Sequence, residues 1–376
     1  MIKKRFGFFL LWGLLLGALA FAQPAPVALD SVENRSEYLL LDKGLQFRIT
    51  RYVNSLYNFD FREADRGFKV LEYEYPEHPL PYFLQGLSSW WKILPDLDNE
   101  RYDDRFVGQM DVVIEKAKSL LKRDPENKEA TFFLAAAYGF QGRLYSERRA
   151  WTKATLAGKN ALKYLNLSKD GDEEMSPELV LGDALFNYYS VWIPENYPLL
   201  KPVVAFFPKG NKEKGIELLE YVANNAFYSR VEAQYFLYML YANAEGSPFK
   251  SLAITDYLMD KYPNNAFFHR SHARNLYTVG KWYECKEVSE EILRRLDAKQ
   301  TGYEANSGRY AAFYIAQYYE RRNDMPQAKA YYKRTLAFGE ESEAQESGYY
   351  LYSLLALGKI ATSEAKKTRP SPILIR

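Results

Sequence analysis

A helix-pair signature that recurs about every 34 residues constrains this chain more than any other feature of its sequence. Its clearest copy places the small residues Ala316 and Ala328 twelve positions apart, and Tyr319 and Tyr332 follow them. Small residues at this spacing let two antiparallel helices approach closely, and the aromatic rings fill the space beside the contact. A second copy surrounds Ala64. The pattern predicts a chain of stacked helix pairs.

Helical periodicity starts near residue 37 and continues almost to residue 365, which leaves no room for a sheet. Residues 37–367 are predicted to form the repeat domain. Turn signals containing proline interrupt the periodicity at Asp124–Asn127 and Tyr262–Asn265. The predicted fold is therefore all-α, a right-handed solenoid of antiparallel helix pairs. One helix is predicted to end at Gly142. Residues 345–357 and 359–367 are predicted to form a short pair that caps the solenoid, and residues 368–376 to form a tail.

The middle of the chain departs from the repeat over residues 192–210. Four prolines with apolar residues between them stand in this insert, and such a segment cannot form one long helix. Long loops outside the repeat are usually functional or disordered, and this one is too apolar for disorder. Three interpretations remain: a lid over a groove, a loop that docks on a membrane or a partner, or a patch packed on mismatched repeats.

The N-terminus has the pattern of a secretory signal. Lys3, Lys4 and Arg5 precede an apolar stretch, and Ala20-Phe21-Ala22 matches the small-x-small pattern of a cleavage site. Residues 1–22 are therefore predicted to be a cleaved signal peptide, and residues 23–36 a flexible leader. The protein would then be periplasmic or secreted. The alternative is an uncleaved N-terminal membrane anchor.

The net charge and the candidate ligand and nucleophile residues limit the classes of function that the sequence supports. The formal net charge is +2, without a basic stripe, which argues against nucleic acid as a partner. His269 and His272 share a helix face but lack a third ligand, and the acidic loop at residues 96–104 lacks the glycine and closing glutamate of a calcium loop. Cys285 stands where the repeat needs a small packed residue. Neither a metal site nor a cofactor nor a catalytic residue is predicted.

The repeat resembles the tetratricopeptide superfamily over most of residues 37–365, and the match is specific around Phe61, Phe68 and Ala316. A narrower likeness covers Gly182–Asn187, Pro194 and Phe206–Gly215, which resemble a stretch of the tetratricopeptide-repeat 39 and inclusion-body-clearance family. That family has no established enzymatic activity. The resemblance implies a helical-repeat fold and a non-enzymatic role.

In such repeats, side chains at several positions of the first helix of each pair point toward the concave side of the solenoid. These positions are mostly aromatic here, with a basic spot, and predict a groove for an apolar segment of a partner protein or peptide. The predicted groove residues are Phe83, Trp90, Trp91, Phe132, Phe140, Phe186, Phe236, Arg270, Arg274, Tyr277, Tyr310 and Phe313. The competing interpretation is that these rings pack between helices or against the insert.

Together these features predict a non-enzymatic exported scaffold of the cell envelope that binds a protein or peptide partner. The alternative function is a carrier of a hydrophobic small molecule or lipid, held by aromatic residues under the insert. An enclosed apolar cavity would favour the carrier, and an open groove would favour the scaffold.

Overall fold

The computed structural model describes residues 38–168, 176–196, 198 and 209–368. These residues form two compact units. The larger unit contains described residues 38–93 and 97–239, and the smaller unit contains residues 94–96 and 240–368. The predicted signal peptide and leader, most of the insert and the C-terminal tail lie outside the described residues.

The larger unit is built from nine α-helices within its described ranges, after a short 3₁₀ turn at Leu39–Leu41. The helices are Lys43–Tyr57 (α1), Phe61–Glu74 (α2), Pro79–Ile93 (α3), Asp103–Arg123 (α4), Lys128–Glu147 (α5), Trp151–Ser168 (α6), Pro177–Asn196 (α7), Lys212–Asn225 (α8) and Arg230–Met239 (α9).

The smaller unit begins with a π-helical turn, Leu240–Ala244, after its short segment at residues 94–96. Its six α-helices are Pro248–Lys261 (α10), Ala266–Thr278 (α11), Trp282–Asp297 (α12), Ala305–Arg321 (α13), Met325–Glu341 (α14) and Gly348–Thr368 (α15). The described parts of both units contain helices and turns but no strand, so the predicted all-α class is confirmed.

A three-residue turn of constant form joins the helices within four of the pairs. Its middle residue has a positive φ angle in each case: 62° at Phe59, 56° at Arg149, 79° at Gly280 and 60° at Asn323. The following backbone N–H then donates to a carbonyl five residues earlier, at 2.8–2.9 Å. This bond satisfies a carbonyl that the helix end leaves open, which stabilises the sharp reversal of the chain.

A different turn, centred on proline, separates one pair from the next. Pro76, Pro125 and Pro263 each stand two residues after the last residue of the second helix of a pair. The residue before each proline has left the helical conformation, because proline disfavours that conformation there, and the helix therefore stops. The next helix starts three residues after the proline, and Asn127 and Asn265 cap α5 and α11 through their side chains.

Neighbouring helices along each unit pack against one another, which gives a repeat-like arrangement. In the larger unit α1, α3, α5 and α7 also contact each other in sequence, and in the smaller unit α11, α13 and α15 do the same. The small residues of the signature lie at these contacts: Ala316 and Ala328 are both 0% exposed. Cys285 is likewise buried, and its thiol donates to the carbonyl of Ala273 at 3.3 Å.

Two predicted helix ends are wrong. Helix α5 continues past Gly142 to Glu147, because the reversal is made at Arg148–Ala150. Gly142 lies inside this helix, facing α6, where an added Cβ would lie at an ordinary contact distance of 3.5 Å from Ala157. The predicted C-terminal pair is a single helix, α15. It continues through Gly358, since one exposed glycine costs a helix only about 1 kcal/mol.

The start of the predicted insert is helical. Helix α7 includes Trp192 and Pro194 and ends at Asn196. Proline lacks one backbone donor, but at this position only the final two residues of the helix follow it, so little of the helix depends on that bond. Of the rest of the insert, only residues 198, 209 and 210 lie within the described part of the chain.

Candidate partner-binding surfaces

The structure brings four of the predicted groove rings together in the larger unit. They belong to α3 and α5, which contact each other directly. Phe83 lies 6.4 Å from Phe132 and 6.0 Å from Phe140 between ring centroids, and Phe140 lies 5.7 Å from Trp90. All three pairs meet edge to face, the arrangement that aromatic rings prefer in protein cores.

This row leads into a buried cluster of aromatic and charged side chains, termed the aromatic–arginine cluster: Trp90, Trp91, Arg143, Glu232, Tyr235 and Phe236. The sequence indicated its two tryptophans and Phe236 but not the other three residues. The Arg143 guanidinium lies 4.5 Å from the Trp90 ring and 5.7 Å from the Phe236 ring. It also donates a hydrogen bond to the Tyr235 hydroxyl. The Trp91 indole N–H donates to Glu232 Oε1 at 2.8 Å. Cation–π contacts of this kind gain strength when water is excluded.

The aromatic–arginine cluster is a core. Trp90 and Trp91 are 0% exposed, and Phe236 is 5% exposed. Phe132 and Phe140 are only partly buried. A partner could reach the two tryptophans only if α3 and α5 separated from their neighbours. The role of these rings as a binding surface stays a prediction, but in this conformation they stabilise the unit by packing.

Burial also changes the acid–base behaviour of the cluster. It raises the pKa of the Glu232 carboxyl to about 7, although the Trp91 hydrogen bond and the positive charge of Arg143 act in the opposite direction. Within the described residues, Glu232 Oε2 has no hydrogen-bond partner. The ionised carboxylate is therefore poorly accommodated, because a buried charge needs more partners than this site gives it.

We expect the Glu232→Gln variant to flatten the pH dependence of stability. The pKa of this carboxyl is about 7 in the folded state and about 4.5 when unperturbed, so only the unfolded chain releases its proton between these values. The protonated Glu232 carboxyl therefore contributes to the free energy of unfolding fully below about pH 4.5, and this contribution is lost as the pH rises through 7. Urea unfolding at about pH 5 and about pH 8 measures the loss, which should be smaller in the variant.

Glu213→Gln is the matched control for this measurement. Glu213 is exposed on α8, so its replacement should leave the pH dependence of the wild type unchanged. An identical pH dependence in the wild type and the Glu232→Gln variant would contradict the expectation.

Phe186 packs in an apolar cluster formed by three helices. It is 9% exposed and packs with Leu162 and Leu165 of α6, against which Ala135 also packs. These contacts join α5, α6 and α7. The side chain thus has a place in a local apolar core of the larger unit.

The predicted residues of the smaller unit form a second aromatic row. The Arg270 guanidinium lies 5.6 Å from the Tyr310 ring. Tyr349 continues the row at 4.9 Å from Tyr310 and 4.5 Å from Phe313, and Phe313 is 6.3 Å from Tyr277. Helices α11, α13 and α15 each supply part of this row. The sequence did not indicate Tyr349, because its helix was assigned to the cap.

This second row differs from the first in its exposure and is termed the tyrosine–arginine face. It consists of Arg270, Arg274, Tyr277, Tyr310, Gln317 and Tyr349, all of which are partly exposed. Phe313 lies beneath it and is 4% exposed. A partner can therefore contact the cationic and aromatic side chains of this face. The buried Phe313 ring supports them from beneath.

Hydrogen bonds within the unit hold the side chains of the tyrosine–arginine face. Arg270 donates to the Pro95 carbonyl at 2.8 Å and to Ser307 Oγ at 3.1 Å. Arg274 donates to Asn243 Oδ1 at 2.7 Å. Side chains that are already positioned lose less rotamer freedom when a partner binds, which favours affinity.

The candidate metal and nucleophile residues lie in other places. His269 is buried and pairs with the Tyr303 hydroxyl at 2.7 Å, and burial lowers the pKa of its imidazole to about 3. Burial raises the pKa of the Cys285 thiol to about 12, which disfavours the reactive thiolate. In the part of the chain that the structure describes, no group of three or more His, Cys, Asp or Glu side chains is arranged to hold a metal.

The acidic loop before α4 is organised by an arginine. Arg148 donates to the carbonyls of Leu97 and Asn99 and to both carboxylate oxygens of Asp103. The Arg148 guanidinium thus joins the end of α5 to the backbone of this loop and to the start of α4. Helix α4 begins at Asp103, and the acidic side chains of Asp103 and Asp104 are stabilised in its first turn.

Comparison with protein-family models gives no match, and comparison with curated proteins gives none either. Over the residues that are described, no helix has both the length and the apolar character required to cross a membrane.

Proposed function

We propose that this protein is a non-enzymatic scaffold that binds a segment of a partner protein on its tyrosine–arginine face. The observation that carries the proposal is the partial exposure of Arg270, Arg274, Tyr277, Tyr310 and Tyr349 on three helices that contact in sequence. Arginine and tyrosine are among the residue types that dominate binding energy at protein interfaces.

The charge and chemistry of the face define the partner. Two arginines stand beside aromatic rings, so a carboxylate of the partner would find a cationic group where its apolar side chains find ring surface. The partner segment should therefore carry acidic residues next to apolar or aromatic ones. An extended or helical segment of this kind suits a surface made by successive helices.

The proposal includes a tetratricopeptide-like, right-handed solenoid arrangement. It is supported by the turn of constant form at Phe59, Arg149, Gly280 and Asn323, and by the contacts between alternate helices within each unit. Each such pair cannot bury its apolar faces alone, so it depends on the next pair for its core.

Export to the cell envelope is also part of the proposal, because residues 1–22 have the composition of a signal peptide. The carrier function would depend on a cavity beneath the insert at residues 192–210, most of which lies outside the described residues. The exposed tyrosine–arginine face favours the scaffold.

We expect the Arg274→Ala/Tyr310→Ala double variant to lose the partner. The wild-type chain would be isolated from its own cell envelope with bound proteins, which mass spectrometry identifies, and its intact mass would show whether residues 1–22 have been removed. The dissociation constant of the identified partner should then rise at least about tenfold in the double variant, since two interface anchors are truncated.

Arg51→Ala/Tyr73→Ala is the matched control. It removes the same residue types from exposed positions on α1 and α2, where the Tyr73 side chain is 88% exposed, and should leave affinity unchanged. Far-UV circular dichroism and cooperative unfolding would establish that both variants are folded. Unchanged affinity in the Arg274→Ala/Tyr310→Ala variant, or an equal loss in the control, would refute the proposed face.

A further inference from the structure

Helix α15 carries a second surface that the proposed function does not use. Four large apolar side chains lie exposed within five residues: Leu351 at 44%, Tyr352 at 64%, Leu354 at 46% and Leu355 at 53%. Single exposed apolar residues are common, but a cluster of this density on one helix marks an interaction site.

These side chains lie opposite the face that packs on the smaller unit. Ser353, Ala356 and Ile360 are buried, at 0%, 8% and 5% exposure. At about 100° of rotation per residue, Leu351 and Leu355 point away from that buried side. Tyr349, on the packed side, contacts Tyr310 in the tyrosine–arginine face. Leu351 and Leu355 therefore lie on the side of α15 away from this contact.

The second half of the exposed side has a complementary shape. The first half of the exposed side carries leucines, whereas the second half carries small residues. These are Gly358, Ala361, Thr362 and Ala365, all of which are exposed. A Cβ placed on Gly358 would meet no atom within 4 Å. In an antiparallel pair of α15 helices, the leucines of each copy would lie on the small residues of the other, which allows close packing of the two backbones.

Charge has a consistent polarity along this helix. Before the helix begins, the exposed acidic side chains are Glu341, Glu343 and Glu346. In its second half, the exposed basic side chains include Lys359 and Lys366. Within the described chain none of these five side chains makes an ion pair, whereas Glu364 in the second half is paired with Lys329 at 2.7 Å. An antiparallel second copy places the acidic end of one helix beside the basic end of the other, whereas a parallel copy would place like charges together.

We propose that the exposed side of α15 (Leu351, Tyr352, Leu354 and Leu355, followed by Gly358, Ala361, Thr362 and Ala365) binds a second copy of this chain, antiparallel about a two-fold axis. Such an interface is isologous, since each copy contributes the same patch. The dimer presents two tyrosine–arginine faces, so a partner with two binding segments gains avidity without any new contact.

The first test is the oligomeric state of the full chain, measured by light scattering after size-exclusion chromatography and by sedimentation. The wild type should have the mass of a dimer. Leu351→Glu/Leu355→Glu should weaken the dimer at least about tenfold, because two buried carboxylates would lack partners. Phe47→Glu is the control, since Phe47 is 86% exposed on α1 and lies outside the interface.

A charge-exchange experiment tests the antiparallel arrangement. Glu343→Lys/Glu346→Lys and Lys359→Glu/Lys366→Glu should each weaken self-association, because every variant brings like charges together. Mixing the two variants should restore a dimer, since each acidic end then meets a basic end again. In a parallel arrangement like charges already face each other in the wild type, so neither variant alone would weaken self-association further.

Several results would contradict the proposed dimer. A monomeric wild type at all concentrations overturns the proposal, and so does a dimer that Leu351→Glu/Leu355→Glu leaves unchanged. A monomer that dimerises only after removal of residues 369–376 would show that the chain's own tail covers the helix, which also overturns it. Failure of the mixed charge variants to associate would exclude the antiparallel pairing.

Discussion

Replacing Glu178 by alanine should lower the free energy of unfolding by about 3–5 kcal/mol, because buried backbone donors lose their acceptor. Glu178 is the second residue of α7 and is 3% exposed. Its carboxylate accepts hydrogen bonds from the N–H groups of Phe227, of Tyr228 at 3.1 Å and of Ser229 at 3.0 Å. These residues precede α9, whose first N–H groups also lack partners within the helix.

Urea unfolding of the full chain measures this loss, and hydrogen exchange at the Tyr228 and Ser229 amides locates it. Glu178→Gln should be less damaging, because it retains one carbonyl oxygen as an acceptor. Glu213→Ala is the matched control: it occupies the second position of α8 but is exposed, so the change should stay within about 0.5 kcal/mol. A Glu178→Ala variant as stable as this control would contradict the role assigned to the carboxylate.

Gly215→Ala should destabilise the larger unit by about 2–3 kcal/mol, because no space exists for the added methyl group. A Cβ at this position would lie 2.6 Å from the backbone nitrogen of Tyr188 and 2.9 Å from the carbonyl oxygen of Ala184, both on α7. Backbone atoms cannot rotate away as a flexible side chain could. Helices α7 and α8 would have to move apart, and the melting temperature and the urea midpoint should both fall.

Gly108→Ala is the control with the opposite expected sign. Gly108 lies inside α4 and is exposed, and a methyl group added there would meet no atom within 4 Å. Alanine should stabilise this helix by up to about 1 kcal/mol, because it restricts the unfolded chain and favours the helix. Equal effects of the two alanines would mean that the close approach of α7 and α8 does not limit residue 215.

Helix positions followed from the sequence where the signal was local. Pro125 and Pro263 ended helices as expected, and the small residues Ala316 and Ala328 lie at a buried contact. The helix end predicted at Gly142 was wrong because glycine occurs both at helix ends and inside helices, and the sequence around it does not distinguish the two cases. The reversal at Arg149 carried no sequence signal, since a non-glycine residue takes the positive φ angle there.

The candidate binding surfaces were predictable only in part. The sequence placed Phe83, Phe132 and Phe140 on the same side of their helices, and the structure brings them together. It could not tell a buried ring from an exposed one, because both satisfy the same periodicity. Arg143 and Tyr349 were missed because their importance comes from contacts with residues that are distant in the chain.

The sequence by itself determined the all-α class and the helix ends at the proline turns, because caps and prolines act over a few neighbouring residues. Only the tertiary structure decided which aromatic residues form a core and which form a surface. Burial depends on contacts such as that between Glu178 and Ser229, and between Arg143 and Tyr235, which join residues far apart in sequence. Their energies appear only when the helices have packed, so no local pattern encodes them.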